Sequence, residues 1–166
     1  MKRWAAVLAL VFLTAGCGRV VGIPSGGVSD RLTEEQKFTL KNTDGTVLSL
    51  PQLLTQKKLV LLNFWATWCT YCVEEMPDLV KLQSDQQSKG FTVLAINVGE
   101  SAAQASNFEK KNGLNFPVVL DEDMAVSQKY GLVGIPVSYL VDSQGNVIGE
   151  YHGFTSQLVS DVEKNL

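Results

Sequence analysis

Two cysteines lie three positions apart in this sequence of 166 residues, shortly after an apolar segment at 59–65. Cys69 falls at the predicted start of a helix, where unpaired backbone N–H groups and the positive end of the helix dipole favour a thiolate. Cys72, one helical turn later, lies close enough to form a disulfide with Cys69 and to release a partner held in a mixed disulfide. This spacing predicts a disulfide-exchange centre.

A cysteine pair can also be two unrelated core thiols or half of a zinc site. Structural zinc sites use four Cys or His ligands, whereas this chain has three cysteines and one histidine, His152. Because there is no second Cys or His pair, the redox interpretation is favoured over zinc. We predict no metal site and no cofactor.

The segments around the pair predict a mixed α/β domain. Short β-prone runs at 38–40 and 46–48 flank a turn at 43–45 and predict an N-terminal β-hairpin. The remaining predicted elements are buried strands at 59–65 and 91–98, a helix at 69–89 between them that contains Pro77, a helix at 102–112 ending at Gly113, a strand at 117–120, a short helix at 122–130, a hairpin of strands at 137–141 and 146–151, and a final helix after Thr155. A β-α-β unit followed by a hairpin and a helix predicts a central mixed sheet with helices on both faces, which resembles the thioredoxin fold.

The N-terminal residues predict export. Lys2 and Arg3 precede an apolar run at 4–13, which is shorter than the roughly 20 residues of a membrane-spanning helix and is typical of a signal peptide. The sequence Leu-Thr-Ala-Gly-Cys at 13–17 resembles the lipobox of bacterial lipoproteins, which implies cleavage before Cys17 and a lipid on its sulfur. Thr14 departs from the aliphatic residue usual there, and an ordinary signal peptide with a spare thiol is the alternative.

The chain is therefore divided into a signal peptide at 1–16, a lipidated Cys17 with a flexible tether to residue 36, and one domain at 37–166. The tether is inferred from its glycines and proline. We expect a monomer attached to the extracytoplasmic face of a bacterial membrane. The net charge of −3 is mild and the basic residues are scattered, which indicates neither nucleic acid nor an anionic lipid surface as a partner.

Four groups of residues carry a resemblance to a known family. They are 63–72 with Glu75 and Pro77, Asn-Val-Gly-Glu-Ser at 97–101, Asn-Phe-Pro-Val-Val-Leu-Asp at 115–121, and Gly-Ile-Pro at 134–136. Together they are similar to the membrane-tethered ResA, TlpA and CcmG class of thioredoxins, and most similar to ResA. The resemblance implies a thiol-disulfide oxidoreductase that reduces apocytochrome c during cytochrome c biogenesis, with electrons from a membrane protein of the CcdA or DsbD type.

The resemblance also implies which residues surround the cysteines. Ile135 and Pro136 match the cis-proline position opposite the pair, where an extended substrate binds by strand addition. Trp68, immediately before Cys69, is expected on the partner-facing surface, while Trp65 is expected to pack on the domain.

A carboxyl group is expected to assist the cysteines. Glu100 matches a residue that tunes their ionisation in ResA-like proteins, and a carboxylate there would repel a thiolate and relay a proton. Asn63 stands where ordinary thioredoxins carry a buried Asp, so another carboxyl group must move the proton. Glu75 is the second candidate, although a solvated or salt-bridged helix residue is the favoured interpretation of it.

The dipeptide Thr70-Tyr71 is the main departure from the family, whose members often place Pro before the second cysteine, and residues at these two positions alter the stability of the thiolate form. Two alternatives to the cytochrome substrate remain. One is the reduction of another exported protein, such as a spore-envelope or copper-centre assembly protein. The other is a metal-delivery module that uses Cys69, Cys72 and His152, although His152 is predicted to be a solvated residue at a sheet edge.

Overall fold

The computed structural model describes residues 29–166. The strands in this part of the chain are β1 (Thr39–Lys41), β2 (Val47–Ser49), β3 (Leu59–Trp65), β4 (Phe91–Val98), β5 (Val118–Asp121), β6 (Val137–Asp142) and β7 (Val147–Tyr151). The α-helices described there are α1 (Leu50–Gln56), α2 (Thr70–Gln86), α3 (Ala102–Asn112), α4 (Ala125–Lys129) and α5 (Ser156–Lys164). Short 3₁₀ turns cover Glu34–Gln36 and Gln87–Lys89.

Among the described strands, five form one mixed sheet in the order β5-β4-β3-β6-β7. β3 is central because it pairs parallel with β4 and antiparallel with β6. All seven of its residues are buried, as expected for a strand covered on both faces. β5 continues the parallel half of the sheet, and β7 closes the antiparallel half. The predicted thioredoxin-like fold is confirmed.

Alternate residues of β3 point into two hydrophobic cores, one on each face of the sheet. Leu61 and Trp65 pack with Met76 and Leu79 of α2 in one core. Leu62 and Phe64 belong to the other core, which also contains residues from the N-terminal segment, α1 and α4: Leu32, Phe38, Leu50, Leu53, Leu54, Val126 and Tyr130. Burial on both faces therefore fixes the position of β3, the strand that leads to the cysteine pair.

The N-terminal part of the domain matches the predicted hairpin but contains more structure than predicted. β1 and β2 pair antiparallel, in agreement with the sequence. Helix α1 was not predicted; it begins beside Pro51, a residue suited to a first helical turn, and buries three leucines. Leu32 is also buried, and its N–H donates to the carbonyl of Gly145 at 2.9 Å. The folded part of the chain thus includes residues that were assigned to the tether.

Helix ends follow local sequence signals. α3 begins after Ser101 with a capping box to Gln104 and ends at Gly113 in the left-handed conformation. Thr155 caps α5, since its side chain accepts a hydrogen bond from the Leu158 N–H. Of the helices between residues 29 and 166, none is long and apolar enough to cross a membrane. The predicted signal peptide and Cys17 lie outside the described residues.

Candidate redox site

The two cysteines form a disulfide at the start of α2, with Cα atoms 5.2 Å apart. Cys69 is the N-cap of this helix, and its Sγ accepts the N–H of Cys72 at 3.2 Å. Its exposed fraction is 7%, whereas Cys72 is fully buried at 0%. An incoming thiol or disulfide therefore reaches Cys69 first, and Cys72 is available only to Cys69 from inside the domain.

The loop before β6 lies directly against the exposed sulfur. The Ile135–Pro136 peptide bond is cis, and the carbonyl oxygen of Ile135 lies 3.7 Å from Cys69 Sγ. The structure thus brings Ile135 and Pro136 next to Cys69, as the resemblance implied. The substrate-binding role of Ile135 and Pro136 stays a prediction.

Large apolar side chains are exposed on both sides of Ile135, whose carbonyl faces the sulfur. Trp68 and Tyr71 are 69% and 74% exposed, and Met124 and Val133 are also exposed. By contrast, Trp65 is fully buried and its ring centroid lies 4.9 Å from that of Phe108. The two tryptophans therefore occupy the two different environments expected of them. Exposed apolar groups beside a reactive sulfur are a feature of protein-binding surfaces.

Glu75 is the carboxyl group on the buried face of α2 next to the cysteines. It lies one helical turn after Cys72, a spacing that places Cβ atoms about 5–6 Å apart. Asn63 Nδ2 donates to Glu75 Oε1 at 2.7 Å and to Ser138 Oγ at 3.0 Å. Burial raises the pKa of Glu75 to about 7, against the opposing effect of the Asn63 hydrogen bond.

The expectation that Glu75 is solvated or salt-bridged is wrong. Only 6% of the residue is exposed, because the helix turns it towards β3, on the same side as Cys72 and Met76. The spacing of these residues, i, i+3 and i+4, was the available sequence signal. A Cβ atom added to Gly153 would lie 4.0 Å from Glu75 Oε2, so this second carboxyl oxygen faces the loop between β7 and α5.

Glu100 is buried on the loop after β4 and holds the segment that leads into the cysteines. Its Oε2 accepts the Thr67 N–H at 2.8 Å and the Asn97 Nδ2 at 2.7 Å, and its Oε1 accepts the Thr67 hydroxyl. Three donors thus converge on the carboxyl group of Glu100, and two of them belong to Thr67, the residue immediately before Trp68 and two before Cys69. Glu100 is a positioning residue for this turn, and its predicted effect on cysteine ionisation stays a prediction. Thr67 and Ser138 were not among the expected site residues.

His152 follows β7 at the surface, where it is 73% exposed and its Nε2 lies 3.2 Å from Glu150 Oε1. It was predicted to be a solvated edge residue, and this exposure confirms the prediction. Within residues 29–166, no three side chains of His, Cys, Asp or Glu are grouped in a way that could hold a metal ion.

Comparisons with known proteins agree with this geometry. The model of the AhpC/TSA family matches residues 33–149. The chain is 36% identical over 130 residues to the thiol-disulfide oxidoreductase ResA of Bacillus subtilis, which covers 78% of this chain and 72% of that protein. The chain belongs to the ResA family of thiol-disulfide oxidoreductases. The ResA of Bacillus cereus is 30% identical over 159 residues, covering 92% of this chain and 91% of the relative.

Solved structures extend the ResA-type likeness to the fold. A thiol:disulfide interchange protein DsbE from Chlorobium tepidum is 28% identical with a TM-score of 0.72, covering 84% of this chain and 96% of that chain. StoA from Bacillus subtilis is 25% identical with a TM-score of 0.63, covering 75% and 95%. This ResA-family chain is therefore an oxidoreductase that works through the Cys69–Cys72 pair.

Proposed function

We propose that this oxidoreductase reduces disulfides in exported proteins, with apocytochrome c as its preferred substrate. The observation that carries the proposal is the position of Cys69, whose sulfur lies 3.7 Å from the Ile135 carbonyl in a segment that also exposes the apolar side chains of Trp68 and Tyr71. These exposed side chains suit a polypeptide substrate better than a small disulfide, because they add apolar contact area beside the reacting sulfur.

The reaction begins with both cysteines reduced. The Cys69 thiolate attacks one sulfur of the substrate disulfide, forms a mixed disulfide, and releases the other substrate sulfur as a thiolate that takes up a proton. Cys72 loses its proton and attacks Cys69, which frees the second substrate thiol and leaves the Cys69–Cys72 disulfide. Two electrons pass from the pair to the substrate, and a donor must return two electrons to restore the pair.

The proton on Cys72 needs a route out of the domain, because Cys72 has no exposed surface. Asn63 cannot ionise, so it cannot accept this proton. Glu75 lies one turn along the same helix, and its pKa of about 7 suits a group that gains and loses protons near neutral pH. We therefore assign proton transfer with Cys72 to Glu75 rather than to Glu100, which is held by Thr67 and Asn97.

The cellular setting of the proposal rests on the N-terminal sequence and on the family. A lipid on Cys17 would hold the domain at the extracytoplasmic face of a bacterial membrane, and a membrane donor of the CcdA or DsbD type would reduce the pair. The haem-attachment cysteines of apocytochrome c must be reduced before haem is attached, which makes them a fitting substrate. Replacing Cys17 by Ala should abolish the incorporation of labelled fatty acid into the protein, and labelling that persists would contradict the anchor.

A trapping experiment tests the substrate. Replacing Cys72 by Ser leaves Cys69 able to attack and removes the residue that resolves the mixed disulfide. The full-length variant expressed in its own cells should accumulate a disulfide-linked complex with apocytochrome c, separable by non-reducing electrophoresis and identified by mass spectrometry. The double variant Cys69→Ser, Cys72→Ser is the matched control and should capture nothing. Capture of other exported proteins without apocytochrome c would overturn the proposed substrate, and capture of none would overturn protein-disulfide reduction.

A further inference from the structure

A groove runs beside the cysteine pair on the side of Tyr71. Its volume is about 510 Å³, and it is lined mainly by apolar side chains and by the backbone of the loop before β6. Ile135, whose carbonyl oxygen lies 3.7 Å from Cys69 Sγ, contributes to its wall together with Pro136 and Tyr139, so the groove adjoins the reacting sulfur. Two charged or chargeable groups, Glu150 and His152, also line it.

A second depression shares Leu132, Gly134 and Ile135 with this groove but lies on the side of Trp68. Its volume is about 390 Å³, and Met124 and Val98 contribute to its wall. No charged side chain is present among the described residues that line it. The loop around Ile135 thus separates an uncharged depression from a groove that carries a carboxylate.

We propose that the Tyr71 groove binds the part of the substrate polypeptide next to the attacked cysteine, and that Glu150 selects a Lys or Arg side chain there. This inference rests on the proposed reduction of polypeptide disulfides. The Tyr71 ring and the wall of the groove contact the apolar stem of the basic residue, while Glu150 pairs with its charged end.

The surroundings of Glu150 support this assignment. Within residues 29–166, the basic side chain that lies next to Glu150 is the imidazole of His152, 3.2 Å away, and the two side chains are accessible at 40% and 73% of their area. A ligand cation can therefore reach the carboxylate without displacing a buried contact. Tyr139, on the wall of the same groove, has its pKa raised to about 12 by burial and, secondarily, by the negative charge of Glu150. Glu150 also lies opposite Tyr139 in the pairing of β6 with β7, which places the carboxylate at the wall of the groove.

Two synthetic peptides provide the test. Each contains one cysteine as a mixed disulfide with neutral 2-mercaptoethanol; one carries Lys residues on both sides of the cysteine and the other carries Glu. The rate at which the reduced protein releases each peptide thiol is measured at low salt. An exposed ion pair corresponds to a preference of about two- to fivefold for the Lys peptide, which should shrink at 1 M salt.

Three variants separate the groove from the overall charge of the chain. Glu150→Gln should lower the Lys-to-Glu rate ratio by about two- to fivefold, and Glu150→Lys should lower it further. Glu163→Gln makes the same change in net charge at an exposed position on α5 and should keep the parent ratio. A ratio that is unchanged in Glu150→Gln, or that falls equally in Glu163→Gln, would overturn the assignment.

The parent protein distinguishes this inference from the proposed function. Release of both peptides at equal rates would overturn the charge selection and leave polypeptide-disulfide reduction standing. Release of neither peptide would overturn both.

Discussion

Replacing Glu75 by Gln removes a buried carboxyl group whose ionisation opposes folding. Burial raises its pKa from 4.5 to about 7, and each pH unit corresponds to about 1.36 kcal/mol. Ionising Glu75 therefore costs the folded protein about 3 kcal/mol more than it costs the unfolded chain. Gln keeps the oxygen that accepts the Asn63 Nδ2 hydrogen bond, so the substitution removes the ionisation while preserving this contact.

The sign of the pH effect follows from which state holds the proton. Below pH 4.5 both states keep it, and the carboxyl group contributes no pH dependence. Between pH 4.5 and 7 the unfolded chain loses the proton while the folded protein retains it, so the free energy of unfolding of the parent falls as the pH rises. The Glu75→Gln variant lacks this loss. Its stability relative to the parent should rise by about 3 kcal/mol between pH 4.5 and 8.

Urea unfolding of the oxidised proteins at pH 4.5, 6 and 8 measures this difference. Glu74→Gln is the matched control, because Glu74 is the preceding residue on the same helix and is exposed. Its stability relative to the parent should change little over this pH range. A Glu75→Gln difference that does not vary with pH would refute the raised pKa, and an equal effect of Glu74→Gln would show that burial at position 75 is not the cause.

Three further substitutions test contacts that hold the domain around the site. Glu100→Gln disturbs the acceptors of the Thr67 N–H and hydroxyl, so the free energy of unfolding measured in urea should fall by about 1–3 kcal/mol. The pH profile of disulfide reduction should also change. An unchanged profile would exclude the predicted tuning role. Asp121→Asn disrupts a buried carboxylate that accepts two N–H groups and one hydroxyl in α4, with an expected cost of about 3 kcal/mol in the same assay. Thr155→Ala removes the cap of α5 and should lower the stability by about 1 kcal/mol, while Thr155→Ser should restore most of it.

The strands of the sheet could be predicted because burial leaves a simple pattern in the sequence. β3 and β4 are nearly continuous apolar runs, and their observed bounds, Leu59–Trp65 and Phe91–Val98, equal the predicted ones. Helix α1 was missed for two reasons. It contains Pro51, and its seven residues are too few to show a helical periodicity of apolar side chains. Its helical form depends on packing its leucines against the sheet, a contact that local sequence does not contain.

Within the site, the cysteines could be predicted from spacing, whereas the position of the carboxyl groups depended on three-dimensional contacts. Glu100 was expected to act on the cysteines, but its observed contacts are with Thr67 and Asn97. Glu75 was interpreted as a surface residue because charged side chains are usually exposed, although its spacing from Cys72 places both residues on the same face of the helix. The contacts of Asn63 with Glu75 and Ser138 join residues that are far apart in the sequence. They form only when α2 packs on β3 and β6.

Asn63 on β3 cannot ionise, so the proton transfer proposed for Cys72 relies on a carboxyl group of the helix itself. A carboxyl group on β3 would approach Cys72 across the contact between sheet and helix, so small movements of the helix would alter the separation. Glu75 lies on α2 itself, where the backbone hydrogen bonds of the helix set its spacing from Cys72. Asn63 then serves as a donor that holds Glu75 Oε1 at 2.7 Å. Glu75 and Cys72 share one helix, so the separation that the proposed proton transfer needs is set by α2 alone.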